Sequence, residues 1–125
     1  MADRSESDIL AIRRLLKDHR AWLAKNSGQS GRRADLSFHD LSGLGLERID
    51  LSHAKLTGAH LAGARLSGAR FIETDLFNAD LSQVDLTDAV LHAADLRGAR
   101  LDGAVLAGAD LRGADLRKGA IVLDS

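Results

Sequence analysis

A chain of 125 residues is long enough for one domain with its own core and too short for two ordinary ones. Cysteine and proline are both absent, which excludes disulfides, thiolate metal sites and thiol nucleophiles and leaves every backbone N–H available for bonding. Seventeen basic residues against eighteen acidic ones exclude the strong positive field of a general nucleic-acid binder.

The charge is unevenly placed. Residues 1–33 carry eight Lys or Arg against four Asp or Glu, and residues 34–123 carry nine against thirteen. The excess therefore changes sign near Ala34, which marks a boundary between a leader (1–33) and a second region (34–123). The opening MADRSESD is polar where a secretory signal would be apolar, and no run is long enough to span a bilayer, so the cytoplasm is the expected compartment and no membrane contact is expected.

Within the leader, a helix is predicted over about 7–25, with Ser7 or Ser5 as N-cap and Asn26 and Gly28 as stop signals. Ile9, Ile12, Leu16, His19 and Leu23 follow steps of three and four, so one face is buried. Together with Trp22 these residues are expected to cover the open start of the following region, where Leu36, Leu41 and Leu44 would otherwise meet water. Trp22, the only tryptophan, reads as a packing anchor or as a partner contact. Residues 26–33 form a linker.

From Leu36 to Ile121 every fifth residue is large and apolar, eighteen in unbroken phase. Steps of five rotate by about 140° around an α-helix and smear these side chains over the whole cylinder. In a straight strand an odd step sends alternate leucines to opposite faces. The chain must turn between repeats, so that each leucine again points to a common axis, and the result is a solenoid. Two residues before each centre, twelve of eighteen positions are alanine, with His39, Leu44, Ile49, Thr74, Val84 and Gly119 as exceptions. A small and a large inward position suit a narrow shaft, and the early exceptions suggest a wider or irregular first coil. Glycine stands two residues after the centre in eight units, where a tight corner favours it.

The units ADLSF at Ala34, ADLSQ at Ala79, and ADLRG at Ala94 and Ala109 resemble the A-(D/N)-L-x-x pattern of the pentapeptide-repeat family. The resemblance implies an all-β solenoid, a right-handed quadrilateral β-helix with twenty residues per coil and about four and a half coils over 34–123, behind an N-terminal α-helix capping the first coil. Phe71 then stacks between Leu51 and Leu91. HRAWL at His19 and GRRADLS at Gly31 resemble a leader of bacterial members.

Candidate chemistry is sparse. Nine aspartates immediately precede repeat centres, and their short side chains suit backbone bonding at turns. Stacking places His60 between Asp40 and Asp80, either as a metal ligand set or as a solvated ladder on a flat face. No catalytic residue, metal site or cofactor is assigned, and no enzyme activity is expected. Outward apolar residues are more informative: Phe38, Ile72, Phe77 and Val90 form a candidate partner surface.

The leading expectation is a non-enzymatic protein-binding or scaffolding module with no direct nucleic-acid contact. The alternative implied by the family is a DNA-mimic regulator that protects or inhibits a type II topoisomerase such as DNA gyrase. That role needs a continuous acidic surface, which Arg65, Arg70, Arg97, Arg100, Arg112 and Arg117 interrupt. The C-terminal coil is expected either to stand open, with Arg117 and Lys118 discouraging stacking, or to be covered by a second copy in a homodimer through Ile121, Val122 and Leu123.

Overall fold

A computed structural model describes residues 4–24 and 31–118. The predicted helix runs Glu6–Ala24 and is labelled α1. Ser5, not Ser7, caps it. The Ser5 hydroxyl accepts the Asp8 N–H at 3.1 Å, and the Asp8 carboxylate accepts the Ser5 N–H at 3.3 Å. This reciprocal pair leaves Ser7 outside the cap because the carboxylate that answers Ser5 lies three residues on.

The apolar stripe of α1 packs on the first coil, with Ile12 5% and His19 1% exposed. Ile9, Leu16, Trp22 and Leu23 are half-buried, and Leu15 joins Leu16 against the core. The returning chain docks on the helix end, where the Arg32 N–H donates to the Asp18 carbonyl at 3.2 Å. Gly31 is required there, since a Cβ would lie 2.7 Å from the carbonyl carbon of Ala21.

Thirteen parallel bridges, from Asp35 with Lys55 to Asp95 with Asp115, each join residues twenty apart. Four five-residue sides therefore close each coil. From Leu36 to Leu96 the backbone at each centre bonds upward, as in Leu36 N–H to Lys55 C=O at 2.7 Å and Phe38 N–H to Thr57 C=O at 3.0 Å. From Leu36 to Leu111 each centre's carbonyl also accepts the N–H three residues on, as Leu51 does from Ala54 at 3.0 Å. That bond closes a turn whose third residue has positive φ, from Phe38 (62°) to Gly113 (73°) without interruption. Positive φ at that place alone is the mark of a type II turn. Turns take so much of each unit that the expected strand-like segments shrink to one bridging residue per side.

The inward assignments hold through the middle coils, while Leu46 and the later centres Leu101, Leu106 and Leu111 are half-buried and Leu116 is exposed. Leu36, Leu41, Leu51, Leu56, Leu61, Leu66, Phe71, Leu76, Leu81 and Leu86 are fully buried, with Ala59, Ala69, Ala79 and Ala89 beside them. Phe71 sits in the row that bridges Asp50, Arg70 and Val90, between Leu51 and Leu91. Thr74 replaces an alanine in the shaft without an orphaned hydroxyl, because its Oγ1–H donates to the Leu51 carbonyl at 2.8 Å. The first coil is not irregular in register: Gly45 and Asp50 bridge Arg65 and Arg70 like every other pair. Its large residues, Leu44 and Ile49, are accommodated at the rim, packed against the core beside α1.

Candidate interaction surface

The nine aspartates before repeat centres all do the same thing. Each carboxylate accepts the backbone N–H two residues on, at 3.0 to 3.2 Å, from Ser37 on Asp35 to Arg117 on Asp115. They hold the turn that follows. Toward the C-terminal end three of them also take a guanidinium in two-point contact: Arg97 on Asp95 at 2.8 and 2.8 Å, Arg112 on Asp110 and Arg117 on Asp115 at 2.9 and 2.7 Å. The arginine bonds hold Asp110 and Asp115 down to about 2.

His19 interrupts the apolar stripe for a reason the stripe does not reveal. Its Nδ1 accepts the Ala34 N–H at 2.9 Å, and this fixes the proton on Nε2, which donates to the Ser52 carbonyl at 2.9 Å. One imidazole thus joins α1 to the first coil at two backbone groups. Burial pushes its pKa down, because a charged ring would lose its acceptor and its water together. Trp22, half-buried, stacks on it at 5.4 Å between centroids and meets His53 edge-on at 6.3 Å.

Of the four candidate contact residues, Phe38 stands out at 71% exposure. It occupies the left-handed corner at φ 62°, a conformation that costs a bulky L-residue about 1–2 kcal/mol. Its ring walls an open recess of about 450 Å³ with Asp35, Ser37, His39, Lys55 and Thr57. Ile72, Phe77 and Val90 are only half-buried, and a cation covers Phe77 from the next coil: the Arg97 guanidinium lies 5.1 Å from its ring centroid. Ile72 and Val90 share one side, Phe77 lies on the next, and Phe38 stands two coils below Asn78, the residue after Phe77, in the row Phe38, Gly58, Asn78.

His60 does bridge Asp40 and Asp80. Asp40, however, is bonded to the N–H and hydroxyl of Ser42 and to Arg4, and Asp80 to the Ser82 N–H. Among the described residues no group of three such side chains converges on a metal position. Ile121, Val122 and Leu123 lie outside the described residues. Below them, Leu116 is 56% and Val105 48% exposed. Among the described residues no helix is long and apolar enough to cross a membrane.

A family model for pentapeptide repeats matches residues 46–83 and 85–118, in eight copies. Among solved structures, a pentapeptide repeat protein from the thylakoid lumen of Arabidopsis thaliana is 36% identical over 64% of this chain, with a TM-score of 0.54. This chain matches 59% of that protein's length. A pentapeptide repeat protein from Nostoc PCC 7120 is 33% identical over 80% of this chain and 73% of its own, with a TM-score of 0.52. These relatives share the right-handed quadrilateral β-helix. A plasmid-mediated fluoroquinolone resistance protein is 26% identical over 72% of this chain and 50% of its own, at a TM-score of 0.33. The comparison with curated proteins returned no match.

Proposed function

The chain belongs to the pentapeptide-repeat family, and on that premise we propose that it is a non-enzymatic scaffold that binds a protein partner at the Phe38 corner. The observation that carries this reading is an aromatic ring held exposed in a strained backbone on a ladder with one bridge every five residues. Strain of that kind persists where the surroundings impose it, and a pre-positioned aromatic loses little freedom on binding. In the same reading, residues 34–123 make one domain of about four and a half coils and α1 is its N-terminal cap, working in the cytoplasm. The packing of Ile12 and the two His19 bonds support the cap. A two-fold pairing of C-terminal coils through Ile121, Val122 and Leu123 is part of this proposal, supported by the exposed Leu116 and Val105 at that end.

The topoisomerase-regulator alternative is not favoured. Arg97, Arg112 and Arg117 cancel Asp95, Asp110 and Asp115 by two-point contact where a duplex mimic would present uncompensated carboxylates. Affinity capture with the parent and with Phe38→Ser tests the scaffold reading. A partner retained by the parent and lost by a Phe38→Ser chain of unchanged melting temperature supports it. Equal retention by both contradicts it.

A further inference from the structure

Helix α1 carries a second surface, on the side away from the solenoid. The repeat region neutralises six of its seven arginines: Arg65, Arg70, Arg97, Arg100, Arg112 and Arg117 each face a carboxylate at 2.7 to 3.7 Å, and Arg48 alone does not. The leader does the opposite. Arg13, Arg14, Lys17, Arg20, Arg32 and Arg33 are all exposed, and Arg4 with Asp40 is the leader's one ion pair among the described residues. Arg14 and Asp18 stand four apart on the helix, a spacing that allows pairing, yet they do not pair.

At about 100° per residue, Arg13, Arg14, Lys17 and Arg20 fall within about 120° of arc, opposite the face that buries Ile12 and His19. Leu10 lies in the same arc at 57% exposure. It lines a shallow groove of about 290 Å³ with Arg4, Glu6, Ile9 and Arg13. Glu6 falls in the same arc and pairs with none of these cations, so four cations against one carboxylate, around an exposed leucine on a helix whose other side is already packed, form a docking surface.

We propose that this face of α1 binds a short acidic segment of a protein partner, with carboxylates on the guanidinium groups and one apolar side chain on Leu10. Three of the four helix cations are arginines, whose planar fork meets a carboxylate at two points. The seven steps from Arg13 to Arg20 span about 10 Å, which suits a short segment. A long polyanion would run off this face onto the repeat region, where acidic residues outnumber basic ones thirteen to nine. A phosphate backbone would also leave Leu10 unused. The surface shares no residue with the Phe38 corner.

The test titrates a fluorescent glutamate-rich peptide, with leucine at every fourth position, against the full chain by anisotropy. The expected result is saturable binding that weakens as salt rises from about 50 to 200 mM and falls about tenfold in the Arg14→Glu, Lys17→Glu chain. Binding should also fall when the peptide leucines become serine, and should persist in Phe38→Ser. Should charge reversal unfold the chain, Arg14→Gln with Lys17→Gln gives the same reading in a milder form. No saturable binding by the parent, equal binding by the charge-reversed chain, loss in Phe38→Ser, or tighter binding to duplex DNA or phosphatidylserine vesicles would overturn the proposal.

Discussion

The ring of Phe38 rests on Gly58 one coil further on: a Cβ at Gly58 would lie 2.6 Å from the Phe38 Cδ1. Gly58 also has a φ of 64°, so two separate effects forbid a side chain there. At Gly63 only one operates, since its φ is 70° but nothing lies within 4 Å of its added Cβ. Gly63→Ala should therefore cost about 1 kcal/mol of backbone strain, and Gly58→Ala about 1 kcal/mol more from overpacking. Chemical denaturation of both variants, and of Gly58→Ala in a Phe38→Ala background, measures the difference. In that background the two glycine sites should become alike.

The corner conformation makes the converse prediction at Ala93, which has a φ of 58° and only a methyl group to lose. Ala93→Gly should stabilise the chain by roughly 0.5–1 kcal/mol, because relief of left-handed strain exceeds the added entropy of glycine in the unfolded chain. A lower denaturation midpoint for the variant would show that the corner is not strained.

Much of this architecture is legible in the residues themselves. The five-residue phase, the inward leucines and alanines, and the turn-holding aspartates follow from spacing and side-chain size. The left-handed residues Phe38, Arg48, His53, Glu73 and Gln83 are not announced by their types, because only their phase with Gly43 or Gly58 betrays the corner. A longer-range signal exists: Phe38, Arg48, Gln83 and Asp88 lean over Gly58, Gly68, Gly103 and Gly108, each twenty residues on. His19 shows the opposite limit. It reads as a polar break in a stripe, since the carbonyl it serves belongs to Ser52, thirty-three residues away, and no local pattern connects them. The cation over Phe77 lies at the other extreme, since Arg97 stands one coil of twenty residues on and the repeat arithmetic alone places it there.

Protonation of His19 should loosen α1 from the first coil. Burial lowers its folded pKa below 6.5, helped by His53 and Arg33 and opposed by the Ser52 bond and Asp50. Above 6.5 its contribution is complete. As pH falls below 6.5 the unfolded chain takes up a proton that the folded chain resists, so stability falls until the folded pKa is reached. The melting temperature should drop between pH 7.5 and 5.5, with a shallower slope in His19→Ala, which starts lower. Nitrogen chemical shifts should report the Nε2–H tautomer, and a slope unchanged in His19→Ala would contradict the assignment.

The proposed pairing of C-terminal coils is decided by light scattering at micromolar concentration. The parent should have the mass of two chains, and a Val122→Glu, Leu123→Lys chain the mass of one. A monomeric parent, or a variant that still pairs, removes the interface.

Contact at the Phe38 corner is the central claim, and site-specific photo-crosslinking in cells reads it most directly. Replacing Phe38 with p-benzoylphenylalanine keeps an aromatic at the exposed corner, and the same group at Gln83 occupies an equivalent left-handed turn on another side. Irradiation should give one discrete protein adduct from position 38 and none of that mass from position 83. No adduct from position 38, or the same adducts from both, would contradict the account.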